Sequence, residues 1–324
     1  MSGPPRPPGK RPYDHRPPVT APGPFPYAGE LAALVSSALW AGAGIVFRRM
    51  RGRVAPAGVN LAKNATAALC FAIVLIAWTG RPWPLTLPLD AQAWLALSGL
   101  VGLTLCDTFF LRAMMEIGPR RATLLMALSP VLVFAAALAP PFSQVEALTR
   151  PTTWVGLALA LLGITIASRE VPEGGHDPVV ARRGVRDGLL AAVLQTVGVL
   201  MARHAITLGA GPVEGAHVRL VAGSVGLLVA GAVLGQARGW FRSLSTPGTM
   251  KTLAITAFFG TFLGIGLNQC ALAWSSSTGV ASTLNSLAPV WLIPLSTVFL
   301  GERHSRRAWL STLLALSGVA LLSQ

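Results

Sequence analysis

The sequence predicts an all-α integral membrane protein with ten transmembrane helices, built as two inverted five-helix repeats. Three observations lead there. Hydrophobic residues make up 52% of the 324 positions and charged residues only 12%, against about 25% charged in a soluble domain. Apolar runs of bilayer-spanning length recur along the chain. Segments of the first half also return in the second.

In chain order, residues 1–26 (MSGPPRPPGKRPYDHRPPVTAPGPFP) are proline-dominated and lack an apolar face, so a disordered tail is expected. No apolar core with a cleavage pattern comes first, so this is not a signal peptide. Ten candidate spans follow at 29–48, 57–79, 91–115, 119–138, 152–168, 186–206, 213–235, 251–274, 278–299 and 307–323. Each is close to the roughly 20 residues a helix needs to cross a bilayer. Most connections are short. The longest, 169–184 (REVPEGGHDPVVARRG), is polar and contains Gly and Pro, so it reads as a linker between units 27–168 and 185–324.

The internal repeat is visible directly. ATLLMALSPV (122–131) matches ASTLNSLAPV (281–290), and WVGLALALLGITIAS (154–168) matches WLSTLLALSGVALLS (309–323). Setting Pro56 on Pro212 brings Lys63 opposite Arg219, and Arg48 falls opposite Arg203. Five spans per repeat is an odd number, so the second half must enter the membrane from the opposite side. Inverted repeats of this kind are typical of secondary transporters, with substrate held near the midplane.

On these residues the chain resembles the EamA-type transporters of the drug/metabolite transporter superfamily. The resemblance is carried by Ala38-Leu39-Trp40-Ala41-Gly42, by the cations of spans two and seven, and by GLTLCDTFFLRAMMEIGPRRA (102–122). It is also carried by Ala288-Pro289-Val290 with the later Leu300-Gly301-Glu302-Arg303. The first half departs from this last element, reading Ala139-Pro140-Pro141 without Gly-Glu-Arg. The resemblance implies a ten-helix, proton-coupled or facilitative carrier of small organic molecules, a class that includes carriers of amino acids, nucleosides, sugars and aromatic cations.

Polar groups inside spans are the site candidates, because a central charge costs roughly 2.5–3.5 kcal/mol on insertion scales. Asn60, Lys63 and Asn64 share one face of span two. There they form a cavity wall for a polar or anionic group, or Lys63 snorkels to the interface. Arg219 is the repeat partner of Lys63. Asp107 lies near the centre of span three and is the candidate proton-coupling residue, the alternative being a structural salt bridge to Lys63 or Arg112. Gly260 and Gly264 form a GxxxG packing motif, with Asn268 one turn further on. Trp40 could stack on a substrate ring, and Gln195 stands opposite it by repeat. In span nine Ser282, Asn285, Ser286 and Pro289 lie on one face. Pro130 and Pro289 are each expected to bend a helix. Because Pro289 has a counterpart and Asn285 and Ser286 do not, the proline is assigned to scaffold and the polar pair to substrate contact.

Other chemistries find no support in the residues. The three cysteines, Cys70, Cys106 and Cys270, are separated and lack CxxC spacing, so neither a disulfide framework nor a zinc site is expected. No HExxH, GxSxG or phosphate-binding loop is present. No cofactor or metal is expected, and no enzymatic activity. The net charge of +14 comes from arginine clusters flanking spans, which set orientation and meet anionic head groups, so no nucleic-acid partner is expected. The partners are the lipid bilayer, a small-molecule substrate and protons as coupling ion. Export is favoured over import, and the expected location is the plasma (inner) membrane. A flippase for a lipid-linked or amphipathic substrate is the nearest alternative, and a membrane-embedded enzyme a more distant one. By span parity, the face without the termini carries more than twice the Lys and Arg of the other. The positive-inside rule thus places the termini outside, whereas the resemblance implies termini inside.

Overall fold

A computed structural model describes residues 24–136, 151–169, 178–275 and 278–322. Most of the expected tail, the Ala139-Pro140-Pro141 departure and part of the linker lie outside the described residues. Within them the chain is helical: α1 (Ala28–Arg49), α2 (Pro56–Thr79), α3 (Leu89–Ile117), α4 (Pro119–Met126), α5 (Leu128–Ala136), α6 (Pro151–Arg169), α7 (Pro178–Thr207) and α8 (Pro212–Val233). Then come α9 (Ala237–Leu244), α10 (Thr249–Thr256, Ala257–Leu263 and Gly264–Trp274 in succession), α11 (Thr278–Asn285), α12 (Ala288–Leu300) and α13 (Arg306–Leu322). Eight of the helical stretches are long and apolar enough to cross a membrane. Of the other two expected spans, α13 has 17 residues, and span four is divided into the short helices α4 and α5.

Local sequence sets the helix ends. Pro56, Pro119 and Pro212 open their helices, where a missing N–H costs nothing. Gly80 and Gly301 close α2 and α12 in the left-handed conformation that a helix C-terminus favours. The helix α7 starts at Pro178 rather than at the expected 186, so the end of the polar connection continues into the helix. The added turns carry Arg183, which pairs with Glu116 of α3.

At the two expected kinks the helices are interrupted. Spans four and nine each break about one turn before the proline, Pro130 or Pro289. They stop at Ala127 and at Ser286-Leu287 and then restart. Each proline falls in the first turn of the new segment, where it has no ladder bond to lose. The two breaks stand at repeat-equivalent positions. A further departure is a π-helical segment in α3, Leu100–Cys106, matched by one in α10, Ala257–Leu263, 157 residues later.

The halves interlock. The first helix of each packs on the third span of the other, α1 on α10 and α7 on α3. Helices α2 and α8 pair, as do α6 and α13. The pairs run antiparallel: Asn64 faces Gly223 while Ala68 faces His217, so the repeats are inverted. Between α6 and α13 the approach is backbone to backbone. A Cβ on Gly163 would lie 2.8 Å from Ala315 Cα, and one on Gly318 would lie 2.7 Å from Ala160 Cα. The outer surface carries exposed Leu69, Ile73, Val229 and Val298, as contact with acyl chains requires. Helix α9 packs Trp240 and Leu244 inward and leaves Arg238, Phe241 and Arg242 exposed, the pattern of a helix lying in the interface.

Candidate functional site

The site is built on the π segment of α3. Such segments recur at functional positions because they widen the backbone ladder and leave a carbonyl for side chains. Here the carbonyl is Leu103 O, which accepts from Asn60 Nδ2 at 2.6 Å and Asn64 Nδ2 at 3.4 Å. Asn60 Nδ2 also donates to Thr108 Oγ1 at 3.1 Å, and Thr108 Oγ1 donates to Thr104 O at 2.6 Å. Thr104 Oγ1 donates to Gly223 O at 2.9 Å, tying the segment to α8 of the other half. With its amide directions fixed in this way, Asn60 keeps a buried Oδ1 that no donor reaches, as does Asn64.

Lys63 Nζ lies 2.5 Å from Asp107 Oδ2, with side-chain exposures of 11% and 18%. Lys63 therefore does not snorkel to the interface. Asp107 forms the salt bridge to Lys63 that stood as the alternative to a coupling role, and Arg112 bonds instead to Asp187 of α7. Arg219 reaches the same place from α8: Gly102 leaves room for its guanidinium, whose Nη2 would lie 3.3 Å from a Cβ at that position. It feels the charge of Asp107. Gln195 joins through the Cys106 thiol, which donates to Gln195 Oε1 at 3.6 Å. The structure thus gathers Asn60, Lys63, Asn64, Asp107, Gln195 and Arg219 around one segment of α3.

The remaining candidates lie elsewhere. Trp40 packs against Gly264 at the end of the second π segment; a Cβ there would lie 2.8 Å from its Cδ1. The GxxxG glycines therefore accept α1, Gly260 facing Ala43 and Gly264 facing Trp40. Asn268 stands one turn beyond and is partly buried. Asn285 is the last residue of α11 and Ser286 sits in the break. Asn285 Oδ1 is buried with no donor.

Three acidic residues were missed by the sequence reading. Asp187 is fully buried between Arg112 and Arg186. Glu116 pairs with Arg183 at 2.7 Å. Glu302, beyond the end of α12, lies near Gly118 and within the fields of Arg48 and Arg120. Burial pushes the Glu302 carboxyl up, and Arg48 opposes this. With only 12 acidic residues in the chain, each one near a span was a signal worth following. At the other end of the bundle the positions equivalent to Arg183, Asp187, Arg112 and Glu116 are Ala28, Ala32, Gln269 and Ala273. One end is joined by ion pairs, the other by a cluster of Ala32, Ala33, Ala271 and Ala281. Asp187→Asn is expected to lower the thermal midpoint in detergent more than Glu116→Gln does. Asp187 is wholly buried and its partner Arg112 is 35% exposed, whereas Glu116 is 7% exposed and its partner Arg183 51%.

Antiparallel repeats, broken helices and a charged cluster between the halves define a multi-pass membrane protein built like a secondary transporter. The profile of the EamA-like transporter family matches residues 27–169 and again 183–324. The chain belongs to that family. One solved crystal structure resembles it with a TM-score of 0.60 at 16% identity, covering 91% of this chain and 96% of that one; at that identity the likeness bears on the fold alone. No curated protein matches the chain.

Proposed function

We propose that the protein is a secondary carrier that moves a small organic metabolite across the plasma (inner) membrane by alternating access, exporting it with protons as the coupling ion. The observation that supports the carrier reading is the charged cluster at the interface of the inverted halves; the coupling role of Asp107 is proposed in addition to its salt bridge with Lys63. A proton on Asp107 removes the counter-ion of Lys63. The pair then loses its attraction, so Asp107, just beyond the π segment, is no longer held to Lys63, while Asn60 and Asn64 keep Leu103 O bound to α2. Asn60, Lys63, Asn64, Gln195 and Arg219 form the polar wall of the substrate site. Trp40 of α1, Asn268 of α10, and Asn285 and Ser286 at the break between α11 and α12 serve as further contacts along the substrate path, apart from that wall. Pro130 and Pro289 serve as scaffold, starting the second segments of the broken spans. The units 27–168 and 185–324 act as the two rocking bodies, joined by 169–184. The arginine-rich face is placed in the cytoplasm, which puts the termini outside.

Reconstitution in proteoliposomes with an imposed pH gradient tests the reading. A metabolite extract loaded inside should be depleted of particular compounds faster when the gradient favours proton entry against efflux. Flux that ignores the gradient in both wild type and Asp107→Asn sinks the coupling role. A C-terminal reporter active only in the cytoplasm would reverse the proposed orientation.

A further inference from the structure

The repeats duplicated a cation but not its carboxylate. Lys63 and Arg219 are repeat partners, and Lys63 has Asp107 at 2.5 Å. The position equivalent to Asp107, 157 residues on, is Gly264, and Trp40 fills the space beside it. Arg219 is therefore left without an acid of its own. Among the described residues it makes no ion pair, and its Nε is buried with no acceptor. A guanidinium does not give up its proton in a protein. The cluster of Lys63, Asp107 and Arg219 thus carries one net positive charge.

A charge of this kind is costly unless something binds it, and in membrane proteins such residues line substrate paths. Arg219 is partly buried, beside the π segment of α3. Its fork matches a carboxylate with two parallel N–H···O bonds. Asn60 and Asn64, bonded to Leu103 O of the same segment, each keep an Oδ1 with no donor, which a donor group on the ligand would satisfy. We infer that the substrate is a small organic monoanion, a carboxylate bearing a hydroxyl or other donor, which binds at Arg219 and brings the cluster to neutrality. This rests on the carrier reading above and names its substrate class.

The test uses the full chain and a panel of aliphatic and aromatic carboxylates, each matched by its amine, its neutral amide and its phosphate monoester. Binding is read as a thermal shift in detergent and transport as protein-dependent uptake into proteoliposomes. Carboxylates should raise the unfolding midpoint by about 5 °C at a hundredfold excess over Kd, and their uptake should exceed that of the amines. Arg219→Gln should lose about tenfold or more in affinity, and Arg219→Lys should retain part of it. Charge selectivity is measured on the wild type, so the result does not depend on either variant folding. Binding and uptake of amines, amides or phosphate monoesters in preference to carboxylates overturns the monocarboxylate inference and leaves the carrier reading standing. Absence of protein-dependent uptake for every charge class overturns both.

Discussion

Asp107→Asn is expected to abolish gradient-driven flux and to cost the fold about 3–5 kcal/mol. The two effects have one origin. Lys63 and Asp107 are largely withdrawn from solvent, and removing the acid leaves the lysine's charge unpaired between the halves. The loss belongs mostly to the stranded lysine, so Lys63→Met alone should also destabilise. The double variant Lys63→Met with Asp107→Leu should recover much of the stability, because replacing both members of a buried pair with apolar groups is often neutral. It should not recover proton-coupled flux. A structural pair alone would show recovery of both. The measurements are thermal midpoints of wild type, Lys63→Met, Asp107→Leu and the double variant, read as a double-mutant cycle, and their fluxes with and without a pH gradient.

Gly318→Leu and Gly163→Leu are expected to be nearly as harmful as each other. Each glycine meets the backbone of the opposing helix at the α6–α13 crossing: Gly163 faces Ala315, and Gly318 faces Ala160. These contacts are equivalent under the repeat. A leucine at either position must push the helices apart, and overpacking of this kind costs typically about 1–3 kcal/mol, with more where backbone opposes backbone. Equal losses in the thermal midpoint would follow from the two-fold relation. A large effect at one and none at the other would contradict the symmetric crossing. The double variant should lose less than the sum of the two, because once the helices have separated the second side chain finds room.

Much of the architecture could be read from the sequence because it rests on periodic quantities. Span length follows from bilayer thickness, and the inverted repeat follows from ATLLMALSPV and ASTLNSLAPV standing in units with odd numbers of spans. The positions of Asn60, Lys63 and Asn64 on one face followed from helical spacing, and the structure places them together. The π segments could not be read this way. One additional residue per turn changes which side chains share a face, and nothing in LVGLTLC or AFFGTFL announces it. The prolines were read as kinks because a proline within an apolar run suggests a bend. Whether the helix bends or restarts depends on the tertiary contacts holding each segment. Arg112 appeared to have no partner on its own helix face, since its acid, Asp187, lies 75 residues away in the other half. Pairings of that range are settled by packing and leave no local trace.

A carrier with true two-fold symmetry would spend equal work opening to either side. This chain departs from that equality where Arg112 and Arg183 meet Asp187 and Glu116, while three alanines and Gln269 occupy the matching places at the opposite end. Parting the first end separates opposite charges, a process sensitive to ionic strength and acid. Parting the second opens an alanine-lined cluster and a hydrogen bond from Ser275 to Glu30, which salt affects less. Gene duplication gave the two ends one geometry, and substitution at a few positions has since given them different chemistry. Under the proposed alternating-access cycle, salt is therefore expected to weaken the ion-paired end more than the alanine-lined one.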